Sequence, residues 1–132
     1  MRVRRVLILG SALGCCYTSM LMAQDSVKVD SKHYTVVTEN AQVRVLKVHY
    51  GPHEKSVMHS HPATVAVFLS SGNTRFTFPD GKTQDFTFKS GDAQYSAATT
   101  HLPENTGDQP FDAIVIELKG KAAKSTKGAP PK

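Results

Sequence analysis

The sequence predicts an all-β domain, a barrel or sandwich of short strands, on three observations. Apolar and β-branched runs recur through residues 33–118 at intervals of roughly eight to twelve residues. Turn signals rich in Gly, Asn and Asp separate them. No stretch beyond the first 23 residues carries an apolar period near that of a helix. With 132 residues in all, there is room for a single domain.

The chain opens on Arg2, Arg4 and Arg5, then an apolar run from Val6 to Leu13, with the small Ala23 ahead of Gln24. That order is expected of a signal peptide over residues 1–23, and so of export to a periplasmic or extracellular space. Gly10, Gly14 and the polar residues 17–19 leave the run too short to span a bilayer. Both cysteines, Cys15 and Cys16, fall inside it, so the mature chain would carry no disulfide. Cleavage before Cys15 with a lipid anchor there is the alternative; it is disfavoured because Ala12 stands where a lipoprotein leader places Leu.

Charge divides the same way. Setting aside the three leader arginines and five lysines of the tail leaves eight basic against eleven acidic residues, a net of −3 over residues 24–118. A domain of that balance has no basic face for nucleic acid.

Residues 24–32 are polar and are expected to form a flexible lead-in. Strands follow at 33–38 and 41–50, joined by a turn at Glu39 and Asn40. Val43 and Val45 alternate with Arg44, a half-buried pattern; Val48 is out of phase with them, which places a bulge near Leu46 and Lys47. Gly51 and Pro52 close that strand. The run 64–69 is apolar on both parities, as in a strand covered on both sides. A hairpin comes next, 74–78 and 84–88 around Pro79-Asp80-Gly81-Lys82, whose four alternating Phe read as core. Ser90-Gly91-Asp92 turns into a strand at 93–97, Ala98-Thr99-Thr100 connects to His101, and a turn at 105–108 precedes the strand 111–118. There Ile114, Ile116 and Leu118 alternate with Val115 and Glu117. Residues 119–132, rich in Lys, Ala, Gly and Pro, are expected to be a disordered tail.

The chemistry centres on Met58-His59-Ser60-His61-Pro62. In an extended strand His59 and His61 point to one face, where two neutral imidazoles make a natural pair of ligands for a divalent metal. The plainer reading is two half-buried or solvated histidines. Val65 has the same parity, so an unbroken strand would turn it into the same cavity.

Two blocks surround this pair. The first runs Gly51-Pro52, six residues, His59-Ser60-His61, ten residues, Gly72. The second runs Gly91-Asp92, eight residues, His101, three residues, Asn105-Thr106-Gly107. Over about residues 33–118 the pattern resembles the small single-domain members of the cupin superfamily. The resemblance implies a double-stranded β-helix, or jelly-roll barrel, with one metal in its mouth held by His59, His61 and His101. The family usually places Glu four residues after the second His, where this chain has Val65. It usually places Pro and Gly ahead of the last His, where this chain has Ala97 and Thr99.

A three-His set without a carboxylate suits Fe, Zn, Ni, Cu or Mn, with Mn disfavoured by the loss of a hard oxygen ligand, and makes a poor site for Mg or Ca. Two functions follow. Some cupin dioxygenases work with three histidines alone, which implies a metal-dependent oxidoreductase; the missing Glu implies instead a non-catalytic module for a small ligand. The superfamily's small barrels commonly pair, so a homodimer is expected by resemblance. His33, His49 and His53 read as surface histidines, Glu54 as a solvated charge, and Asp92 and Asn105 as turn residues. Gln94 and Tyr95 lie on opposite faces, so at most one of them lines the cavity.

Overall fold

Strand pairing absorbs most of the backbone between Tyr34 and Leu118, as the alternation requires. The computed structural model describes residues 24–120. The expected signal peptide, residues 1–23 with Cys15 and Cys16, and all but the first two residues of the expected tail at 119–132 lie outside the described residues.

Among the described residues, nine strands follow a one-turn helix. They are α1 (Ser26–Val29), β1 (Tyr34–Glu39), β2 (Val43–Tyr50), β3 (His59–His61), β4 (Thr64–Phe68), β5 (Gly72–Thr77), β6 (Thr83–Phe88), β7 (Ala93–Ser96), β8 (Thr99–Asn105) and β9 (Phe111–Leu118). One sheet has the order β1-β2-β9-β4-β7, the other β3-β8-β5-β6. All ladders between these strands are antiparallel. The all-β expectation holds. Between the sheets lies a core of Tyr34, Leu46, Val48, Tyr50, Phe88, Phe111 and Ala113. Gly72 permits one close approach in it, since a Cβ there would fall 2.9 Å from the Phe88 ring.

The expected hairpin is β5–β6. Gly81 adopts φ +81°, a left-handed value that glycine reaches without strain, and the Phe78 and Lys82 backbones bond across the turn.

Several local expectations are corrected. The bulge is not at Leu46 and Lys47: β2 pairs with β9 without a break, and the register shift lies in β1, between Val36 and Thr38. Leu46, Val48 and Tyr50 are the buried face of β2, so Arg44 points inward with them while Val43 and Val45 share the opposite face. In β9, likewise, Phe111, Ala113 and Glu117 are the buried positions. An Arg and a Glu on inward faces mislead any reading that counts charge as outward; here the two stand directly opposite in the ladder.

Thr99 and Thr100, expected in a connection, and Asn105, expected in a turn, belong with His101 to one full strand, β8. Pro103 sits where β8 has run past the three-residue β3, and its carbonyl accepts from the Ser56 backbone N–H instead. Residues 24–32 are not loose. Asp25 caps α1 by accepting from Val27 and Lys28 N–H, Ser26 is buried, and the Gln24 carbonyl accepts from the Ser60 backbone N–H at 2.7 Å. The chain's lead-in therefore runs beside β3.

Candidate metal centre

His59 and His61 face one way because β3 is extended, and β8 brings His101 directly opposite His59. All three are buried, His59 completely. Their ring centroids lie 4.9, 5.2 and 5.5 Å apart, close to mutually perpendicular. One nitrogen from each ring falls within 4.8 Å of the others. The three residues singled out in the sequence are thus brought together, and they could hold a metal ion.

The hydrogen bonds around them leave nitrogens free for that purpose. His59 Nδ1 donates to the Val57 carbonyl at 2.8 Å, which leaves Nε2 bare. His61 Nδ1 donates to Glu117 Oε1 at 2.7 Å, which leaves its Nε2. His59 Nε2 and both ring nitrogens of His101 are buried without any partner. Each such orphan costs about 1–3 kcal/mol of desolvation; a bound cation would partner His59 Nε2 and one nitrogen of His101, so the donor set fits a transition metal. Burial foremost, and then the neighbouring rings, push His59 down to about 4 and His101 to about 3. Neutral imidazole, the ligating form, is the state these environments favour.

Val65 does not face this cavity. Between β3 and β4 the chain crosses from one sheet to the other at Pro62 and Ala63, and the crossing shifts the parity. The inward positions of β4 are Thr64, Ala66 and Phe68, which line a chamber of about 70 Å³ with His61, His101 and Phe76. Val65 pairs instead with Ile116 and Tyr95 on the other face. Gln94 lines the chamber and Tyr95 is 61 % exposed, so the alternative of a Tyr95 wall is excluded.

The carboxylate missing from the ligand position stands behind a ligand. Glu117, 2 % exposed, accepts from His61 Nδ1 and, at 2.5 Å, from Arg44 Nε. Arg44 Nη2 also reaches Asp25 Oδ2 at 2.6 Å. Burial presses the Glu117 carboxyl upward, but the bonds from His61 and Arg44 outweigh it and hold it below its ordinary value. A second connection reaches His59: Ser56 Oγ lies 3.3 Å from His59 Nδ1 and donates to Asp30. Sequence reasoning missed Glu117, Arg44, Asp25, Asp30 and Ser56. A lone acid and a lone base inside two apolar strands were the available signal.

Tyr34 packs edge-on against His59 at 4.9 Å, and its hydroxyl lies 3.0 Å from that of Tyr50. Burial and the Tyr50 hydroxyl raise Tyr34 well above the phenol range, so it stays a neutral wall. His33 is not a surface residue: it is buried, stacked on Tyr50 at 4.1 Å, and lies between Asp30 and Glu54. Glu54 is tied down as well, by the Gly51 N–H and Lys32. His49 and His53 are exposed, as expected, beside Asp112 and Asp108. Asn105 and Asp92 hold turns through side-chain to backbone bonds, also as expected.

A model described as "Cupin domain" matches residues 46–117. Among solved structures, a cupin domain from Bordetella pertussis Tohama I is similar at 24 % identity and a TM-score of 0.61, over 66 % of this chain and 92 % of that one. A protein with a double-stranded β-helix domain from Klebsiella pneumoniae is similar at 24 % identity and 0.54, over 68 % and 78 %. The polyketide cyclase RemF from Streptomyces resistomycificus is similar at 14 % and 0.50, over 68 % and 66 %. At these identities the likeness is one of fold. No curated protein matches the sequence.

Proposed function

This chain belongs to the cupin domain family, and from that premise we propose that it binds one divalent transition metal through His59, His61 and His101 and acts on a small molecule there. The observation that carries this reading is the convergence of three buried imidazoles with unpartnered nitrogens. Bound, such an ion supplies Lewis acidity and open positions for ligands. The chain's own contribution is orientation: Val57 and Glu117 set the tautomers of His59 and His61, and Tyr34, Phe68 and Phe76 give the site aromatic walls.

A metal-dependent oxidoreductase of the dioxygenase type is the activity this reading favours, because three histidines with no carboxylate among them leave the ion its full charge. A non-catalytic module for a small ligand is the second reading, favoured by the absence of any acid among the residues lining the chamber. Metal content of the untagged protein, set against the His59→Ala, His101→Ala double variant, tests the centre: one ion per wild-type chain and none in the variant is expected, and equal trace metal in both sinks the proposal. Oxygen uptake by the Fe(II)-loaded protein over a panel of small oxidisable molecules separates the two readings; silence throughout favours the binder.

Export and pairing belong to the same proposal. Amino-terminal sequencing of secreted material beginning at Gln24 is the outcome expected of a cleaved leader, and a start at Cys15 would mean the lipid anchor. For pairing, the larger sheet's outward positions, Val43, Val45, Val65, Val67, Ile114 and Ile116, offer an apolar face to a second copy. Light scattering that gives a monomer's mass would remove the homodimer. No helix among the described residues is long and apolar enough to cross a membrane.

A further inference from the structure

The four Phe of the β5–β6 hairpin do not all enter the core. Only Phe88 does. Phe76, Phe78 and Phe86 lie on the same inward face of the hairpin but beyond the core, where they wall an open groove of about 310 Å³. Gln84 stands beside Phe76 on that same face, and the other side is formed by Gln94 and Ser96 and by the small residues 97–99. This groove adjoins the chamber at the histidines: Phe76, Gln94, Ser96 and Thr99 line both, and the Phe76 ring sits 4.2 Å from that of His101.

Size and charge together restrict what fits. The inner chamber, at about 70 Å³, is under half of the roughly 150 Å³ of a cavity that takes up benzene. It admits a donor group and no ring. The outer groove has volume for one or two rings, and its aromatic side offers them faces to stack on. No Lys, Arg, Asp or Glu lines either space, so a phosphate or a second carboxylate buried there would find no counter-charge. The polar atoms on offer are amides and hydroxyls, which suit uncharged oxygens and ring nitrogens.

We propose that the ligand of this site is an uncharged planar aromatic molecule that stacks on Phe78 and Phe86 and extends one or two oxygen donors past Phe76, Gln94 and Thr99 toward the histidines. The proposal rests on the metal-centre reading and adds to it the class of ligand. Phe76 divides the two spaces, touching donor and ring alike, while Phe78 and Phe86 meet only the ring.

Two probes test it on the Co(II)-loaded full-length protein, read by the visible spectrum of the ion. One is 2,3-dihydroxynaphthalene, which has adjacent hydroxyls on a fused ring. The other is acetohydroxamate, which offers oxygen donors with no ring. Phe78→Ala and Phe86→Ala should each weaken the naphthalenediol about fivefold, leave acetohydroxamate unchanged and keep one Co(II) per chain. Naphthalenediol affinities within twofold of wild type, with cobalt retained, overturn the ligand class and leave the metal centre standing. Equal losses for both probes also overturn it, because the phenylalanines would then be acting on the ion's surroundings. A wild-type protein that takes up no cobalt removes the metal centre, and this proposal with it.

Discussion

At Glu117 one buried carboxylate answers two cationic or hydrogen-bonding partners, His61 on one side and Arg44 on the other, and Arg44 is answered in turn by Asp25. A carboxylate in that position fixes the ring orientation and raises the basicity of the bare nitrogen, and losing such a partner typically costs 10–100-fold in metal affinity. Glu117→Gln should therefore weaken metal binding about 10–100-fold in competition with a coloured chelator, and should also lower stability, because Arg44 keeps only Asp25. Val65→Glu should leave metal retention unchanged, since its side chain is on the far face of β4. A tightening in that assay would mean that β4 is read in the wrong phase. The metal-free protein should also show a particular pH dependence. Its His59 and His101 accept protons only near 4 and 3, whereas in the unfolded chain they do so near 6.5. The unfolded state thus binds more protons below 6.5, and stability present above that pH is lost as pH falls toward 4 and then 3. Each pH unit over which one ring is refused a proton costs about 1.4 kcal/mol. Glu117, held below its ordinary 4.5, adds to the acid loss with the same sign. Urea titrations of the metal-free protein between pH 7 and 3 read this directly; stability flat from 6.5 to 4 would contradict it.

Elements explain why those residues meet. β3 is only three residues long, yet it is tied on both sides, by β8 through His59 opposite His101 and by the Gln24 carbonyl through Ser60. The segment 24–32 lies outside the matched family region of 46–117 and still contributes Asp25, which accepts from the Arg44 that holds Glu117, and Asp30, which accepts from the Ser56 hydroxyl beside His59. Ser56→Ala should lower metal affinity less than Glu117→Gln does, because His59 Nδ1 keeps the Val57 carbonyl. Asp30→Asn should fall near Ser56→Ala in the same chelator competition. Values as large as that of Glu117→Gln would mean that this branch, and not the Arg44 branch, orients the site.

Over the whole molecule a metal held by the three histidines would act as a ligand of the folded state. With free metal at a hundred times its dissociation constant, binding adds about 2.7 kcal/mol of stability. A chelator should accordingly lower the midpoint of thermal unfolding, and the His59→Ala, His101→Ala variant should show no such difference. An equal chelator effect in both proteins would place the responsive metal elsewhere.

Much of this was legible before any coordinates. Local signals mark the strands, because the side-chain period of two and the glycine turns belong to contiguous residues. The His59-Ser60-His61 spacing puts two rings on one face for the same reason. Three matters depended on tertiary structure. The phase of β4 depends on a crossing between sheets at Pro62 and Ala63, which no local pattern records. The inward sense of Arg44 and Glu117 depends on their being opposite each other in a ladder, although they stand 73 residues apart in sequence. The division of the hairpin's phenylalanines between core and groove depends on where the second sheet ends. In each case the deciding contact joins residues far apart in the chain, and only the packed sheets bring them to one place.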